Sequence, residues 1–232
     1  KRKYLDKYMK ILCICDQIDP VVYNSEIKER FGDVDYILSA GDLPMEYIDF
    51  VVSSLNKPAY FVFGNHNLKE YDLFHHNPNP EYGKPTTPLS THSHGAAYVG
   101  FKVFSSKKFI IAGASGSMLY NYGKSQFSNS QMFFMLLKLV PKLLFNKIFY
   151  GRYLDIFLTH APPLGINDKP DPCHKGFKCY LWFLRWFKPK YMIHGHIHLY
   201  DLQEKRIANY HKTTIINAFE HYIVHLDDKQ EN

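Results

Sequence analysis

Side chains that can bind a metal stand at the ends of short apolar runs throughout this sequence. "KILCIC" (10–15) is followed by Asp16, and "YILSAGD" (36–42) ends in Asp42. "YFVFGNHN" (60–67) carries Asn65 and His66, "DIFLTH" (155–160) ends in His160, and "YMIHGHIH" (191–198) carries His194, His196 and His198. One carboxylate at a strand end is unremarkable. Several such ends together point to a common pocket, because ligands of α/β sheets gather beyond the carboxyl ends of strands. Carboxylate oxygens, an amide oxygen and imidazole nitrogens in one place suit Mn, Fe, Zn or Mg rather than a thiolate site. The three alternate histidines would share one face of a continuous strand. Gly195 marks a bend or a close backbone approach in that run. Spacing alone leaves open which imidazoles bind.

Residues of this kind need strands to present them. Short β-branched and aromatic runs recur at 10–15, 34–40, 59–64, 96–104, 109–114, 154–160, 190–195, 213–218 and 221–226, each bounded by polar or turn residues. That pattern reads as strand. Helical stretches lie at 44–56, 128–140 and 179–187. The order predicts an α/β protein in which a two-sheet β-sandwich is flanked by α-helices. We expect one domain over 1–232, with a long loop at about 75–95 and a helical insertion at about 128–150.

Composition narrows the classes. Hydrophobic residues make up 46% and aromatics 16% of the 232 residues, which excludes a disordered chain. The net charge is +6, with Lys and Arg scattered rather than striped. This suits a small anionic substrate and argues against nucleic acid as the main ligand. Cys13 and Cys15 sit in an apolar run, and four cysteines in this length are no disulfide framework, so a reducing, cytoplasmic setting is expected. No run is long enough to span a membrane. The nearest, 132–149, is interrupted by Lys138, Pro141, Lys142 and Lys147. It reads as a core-facing helix, or as an apolar lip for a lipid-like substrate or a membrane.

Taken in order, "CDQID" (15–19), "GDLP" (41–44), "GNHN" (64–67), "THAPP" (159–163) and "GHIH" (195–198) resemble the motifs of the calcineurin-like metallophosphoesterases. The resemblance implies α/β/β/α layers and two divalent ions bridged by one carboxylate. Asp42 would be that bridge. Asp16 and His198 would belong to one ion, and Asn65, His160 and His196 to the other, leaving His194 to strand packing. It also implies hydrolysis of a small phosphate mono- or diester, with His66 as general acid toward the leaving alkoxide. A non-catalytic protein-binding scaffold and a nuclease are the rival readings. Two positions depart from the family pattern. Ile18 stands in place of a histidine, and Asn67 in place of an acid. Asp19 is either a replacement ligand or the cap of a turn before Pro20. Tyr120, Asn121, Asp168 and His174 lie on loops that leave strands and are candidates for lining the substrate pocket.

Overall fold

A computed structural model describes residues 8–75, 92–201 and 203–227. The first half of the chain runs β1 (Tyr8–Cys15), α1 (Ile27–Phe31), β2 (Tyr36–Ser39), α2 (Met45–Leu55), β3 (Ala59–Phe61), α3 (Tyr71–Phe74), β4 (His92–Ser93), β5 (Ala96–Tyr98), β6 (Val103–Ser105) and β7 (Ile110–Ala114). The second half adds β8 (Ser117–Met118), β9 (Gln126–Phe127), α4 (Asn129–Leu137), α5 (Val140–Tyr150), β10 (Ile156–Thr159), α6 (Lys178–Phe187), β11 (Tyr191–His194), β12 (Ile207–Tyr210), β13 (Thr213–Asn217) and β14 (Glu220–Asp227).

Two six-stranded sheets result, ordered β14-β1-β2-β3-β5-β4 and β12-β13-β11-β10-β7-β6, beside a small pair of β8 and β9. Each large sheet has a parallel centre, β1-β2-β3-β5 or β13-β11-β10-β7, closed by antiparallel edge strands. Parallel pairing matters for function. It sends the carboxyl ends of neighbouring strands, with whatever residues follow them, to one edge of the sheet.

Strand periodicity assigns the layers. Along β1, Met9, Ile11, Cys13 and Cys15 pack with Leu158 and Ile193 of the other sheet, while Leu12 and Ile14 pack with Tyr47, Ile48 and Val51 of α2. In β10, Ile156 and Leu158 face the first sheet, whereas Phe157 packs outward on Tyr180 and Phe183 of α6. The layers are therefore helix, sheet, sheet, helix, as the sequence pattern implies.

Two expected elements divide. The run expected as one strand over 96–104 becomes β5 and β6, which lie in different sheets. Between them Phe101 takes φ 56, and a Cβ on Gly100 would sit 2.1 Å from the Tyr98 hydroxyl, so the chain can turn there only with glycine. The helical stretch over 128–150 becomes α4 and α5. Ser128 and Gln131 form a capping box at the start of α4, and Pro141 opens the first turn of α5, where its missing N–H costs nothing. Most of the long loop expected at 75–95 lies outside the described residues. Among those described, no helix is long and apolar enough to cross a membrane.

Candidate metal centre

The turns that follow β1, β2 and β11 all leave ordinary backbone space. Asp16, Asp42 and His196 have φ of 65, 59 and 67. Left-handed backbone is unfavourable for non-glycine residues and persists where surrounding structure enforces it, often at functional sites. Glycines make the approach of the two sheets possible. A Cβ on Gly195 would lie 1.9 Å from Sγ of Cys15 and 2.7 Å from Oδ2 of Asp16. One on Gly64 would lie 2.0 Å from Oδ1 of Asp42 in its own sheet and 2.6 Å from Cε1 of His160 in the other. Gly195 is thus a point of close backbone approach, one of the two roles its position suggests.

Backbone carbonyls decide which nitrogen of each imidazole is available. His160 donates from Nδ1 to the Ala40 carbonyl at 2.9 Å, so its Nε2 faces Asn65 Oδ1 at 3.1 Å and Asp42 Oδ2 at 3.3 Å. Asn65 is oriented by its Nδ2, which donates to the Tyr120 hydroxyl at 3.2 Å. His196 donates from Nε2 to the Cys173 carbonyl at 2.6 Å, which leaves Nδ1 with the lone pair. Its amide donates to both oxygens of Asp16, at 3.0 and 2.9 Å. Asp42, His160 and His196 form one group of donor atoms that could hold a metal ion, and Cys15, Asp16 and His160 form another. Imidazoles held by a second hydrogen bond on the far nitrogen are the usual arrangement of metal-binding histidines.

The electrostatics agree. Burial pushes the Asp42 carboxyl up, but the His160 charge and hydrogen bond and the His66 amide outweigh it and hold it at about 2. Burial would lower His160, yet the Asp42 carboxylate, with its hydrogen bond, and Asp16 raise it to about 9. Burial raises Asp16, against the pull of His160. Burial, with the His160 charge, brings His196 down to about 3, so its ring is neutral. Acceptors converge on Nε2 of His160, and a positive charge there would satisfy them together. A proton or a metal cation can supply it. The donor set fits a cation of the oxygen- and nitrogen-binding kind.

Of the other candidates, His66 is exposed, and its backbone N–H donates to Asp42 Oδ1 at 2.7 Å. His198 is half-buried, pairs Nδ1 with the Tyr200 hydroxyl at 2.8 Å and stacks on Phe219. It contributes to the potential at Asp16 but joins none of the donor groups among the described residues. Asp19 joins none of the donor groups among the described residues. Its Oδ1 accepts from the Val21 amide at 2.7 Å and its Oδ2 from Nδ1 of His221, which is the turn-capping role with an added partner. Ile18 is exposed. His194 is fully buried, donates from Nδ1 to the Gly195 carbonyl and accepts from Asn167. Asn121 Oδ1 accepts from Gln126 and the Gly123 amide, and Asp168 accepts from the amides of Gly165 and Gly176, all of them bonds within their own loops. His174 pairs with Asp171 and lies 5.5 Å, ring to ring, from His196.

Sequence reading missed Cys15 as a neighbour of the centre, the Ala40 and Cys173 carbonyls that set the tautomers, and Asn67, whose Nδ2 donates to the Asp42 carbonyl at 2.7 Å. Only Asn67 had a signal, as the residue that departs from the motif.

A family model for calcineurin-like phosphoesterases matches residues 6–200. No curated protein matches the chain in sequence. One crystal structure superposes with a TM-score of 0.61 at 13% identity, covering 94% of this chain and 95% of that one. The crystal structure of TT1561 of Thermus thermophilus does so with a TM-score of 0.56 at 11% identity, covering 96% of this chain and 100% of that one. At such identity both likenesses concern the fold alone.

Proposed function

This chain belongs to the calcineurin-like phosphoesterase family, and from that premise we propose that it hydrolyses phosphate mono- or diesters with two divalent ions. Asp42 would bridge them. Asn65, His160 and His196 would complete one site, and Asp16 and His198 would form the other. When bound, such ions supply an activated water and neutralise charge at both ends of an in-line displacement at phosphorus.

The carrying observation is the convergence of Asp42 and Asn65 oxygens on a histidine whose far nitrogen is already committed to Ala40. The chain's own residues then have distinct tasks. Ala40 and Cys173 hold the imidazoles in the metal-ready tautomer. Tyr120 keeps the Asn65 amide turned so that its oxygen faces inward. His66 has an exposed ring on a backbone tied to Asp42, which supports a role as the acid that protonates the leaving alkoxide. The free thiols of Cys13, Cys15, Cys173 and Cys179 support a reducing, cytoplasmic setting.

The test is a panel of aryl and alkyl phosphate mono- and diesters, assayed with Mn²⁺, Zn²⁺, Fe²⁺ or Mg²⁺ and after chelation. Metal-dependent turnover of at least one ester is expected. No turnover by metal-loaded protein on any of them would favour the scaffold reading.

A further inference from the structure

Helix α5 is turned the wrong way round for a water-soluble surface. It buries Leu143 and Asn146, and its outward stripe is apolar, made of Leu144, Phe145, Ile148 and Phe149 at three- and four-residue spacing. Ile148 is 78% exposed and Phe149 65%. Phe145 and Phe149 stack on one another at 4.0 Å instead of on the body of the protein. Exposed apolar clusters of this kind mark interaction surfaces.

The charge around the stripe selects the partner. Between Glu81 and Asp155 the sequence contains no carboxylate at all, so every fixed charge there is Lys or Arg. The stretch is therefore set apart by its lack of acidic residues, while Lys and Arg remain as scattered there as in the rest of the chain. Lys138 and Lys142 are exposed at the start of α5, and Lys142 lies 5.0 Å from the Phe145 ring centre. At its far end Arg152 donates to the Lys107 carbonyl at 3.0 Å, which ties the exposed Lys107–Lys108 turn to the end of the helix. Apolar side chains that can enter an acyl region, rimmed by lysines that reach phosphate headgroups, are the physical signature of an interfacial helix.

We propose that α5 docks this protein on an anionic lipid surface, with Leu144, Phe145, Ile148 and Phe149 inserted and the lysines on headgroups. The proposal stands apart from the catalytic reading and does not depend on it.

The 232-residue protein is to be sedimented with vesicles of phosphatidylcholine alone and with about one third phosphatidylglycerol. Binding to the anionic vesicles only, weakened by salt, is expected. Ile148→Asp with Phe149→Asp should abolish it. Lys138→Gln with Lys142→Gln should weaken it on the order of twentyfold, with the apolar stripe intact. All variants change exposed side chains, so thermal melts should match the parent. A folded parent that ignores anionic vesicles, or binding that survives both double variants, overturns the proposal. So does a dimer that Ile148→Asp dissociates in the absence of any vesicle binding, since a second copy would then be the occupant.

Discussion

Nε2 of His160 lies 3.3 Å from Oδ2 of Asp42, at the meeting of two sheets that contribute one residue each. With Nδ1 given to Ala40, a cation at Nε2 would satisfy both the imidazole lone pair and the Asp42 carboxylate. A cation that binds the folded chain and not the unfolded one stabilises it by mass action, about 2.7 kcal/mol at a hundredfold excess over Kd. Saturating Mn²⁺ should therefore raise the melting temperature of stripped protein. His160→Gln should abolish that increase, and an unchanged increase would remove His160 from the centre.

His66→Ala should retain metal, because the clustered donors remain. It should lower kcat about 10²-fold or more on an alkyl ester, the ordinary scale for loss of an acid–base group. The loss should shrink on an aryl ester whose leaving group needs no proton. Equal losses on both would assign His66 to binding instead.

Ile18 and Asp19 make separate predictions. With Ile18 offering no donor and Asp19 bonded to His221, the second site proposed for Asp16 and His198 would be short of ligands. Calorimetric titration of stripped protein should show one tight and one weak site. Ile18→His should tighten the weak one, by about 10-fold or more if it behaves like other lost metal partners. Asp19→Ala should leave both affinities alone and cost about 1–3 kcal/mol of stability, because His221 and the Val21 amide lose a buried partner. A loss of metal affinity in Asp19→Ala would show that it reaches the metal after all.

His194 predicts acid sensitivity. Burial lowers it from 6.5 to about 4, and its Nε2 accepts from Asn167, so protonation would set two donors against each other. Between these values the unfolded chain binds more protons than the folded one, so stability rises with pH. The contribution is complete above about 6.5 and is lost as pH falls toward 4, on the order of 3 kcal/mol. Denaturant melts at pH 7 and pH 4.5 should show this difference, and His194→Gln should reduce it.

Much of the candidate centre was legible in order along the chain. A metal donor placed directly after an apolar run, repeated at Asp16, Asp42, Asn65, His160 and His196, needs only parallel strands to become a cluster. Local periodicity predicts those strands. The layers were legible for the same reason, since alternate residues of β1 and β10 declare two apolar faces.

Tertiary structure decided what depends on groups without side-chain identity or on partners far apart in sequence. Every residue has a carbonyl, so nothing in the chain marks Ala40 as the group that orients His160, 120 positions away. Asp19 meets His221 across 202 positions, a partner that no local stretch of sequence could name. The break at Gly100 rests on a Tyr98 hydroxyl occupying the space a side chain would need. Which side of α5 faces out is likewise a tertiary outcome, because an amphipathic pattern specifies two faces and only packing against a sheet decides which one is covered.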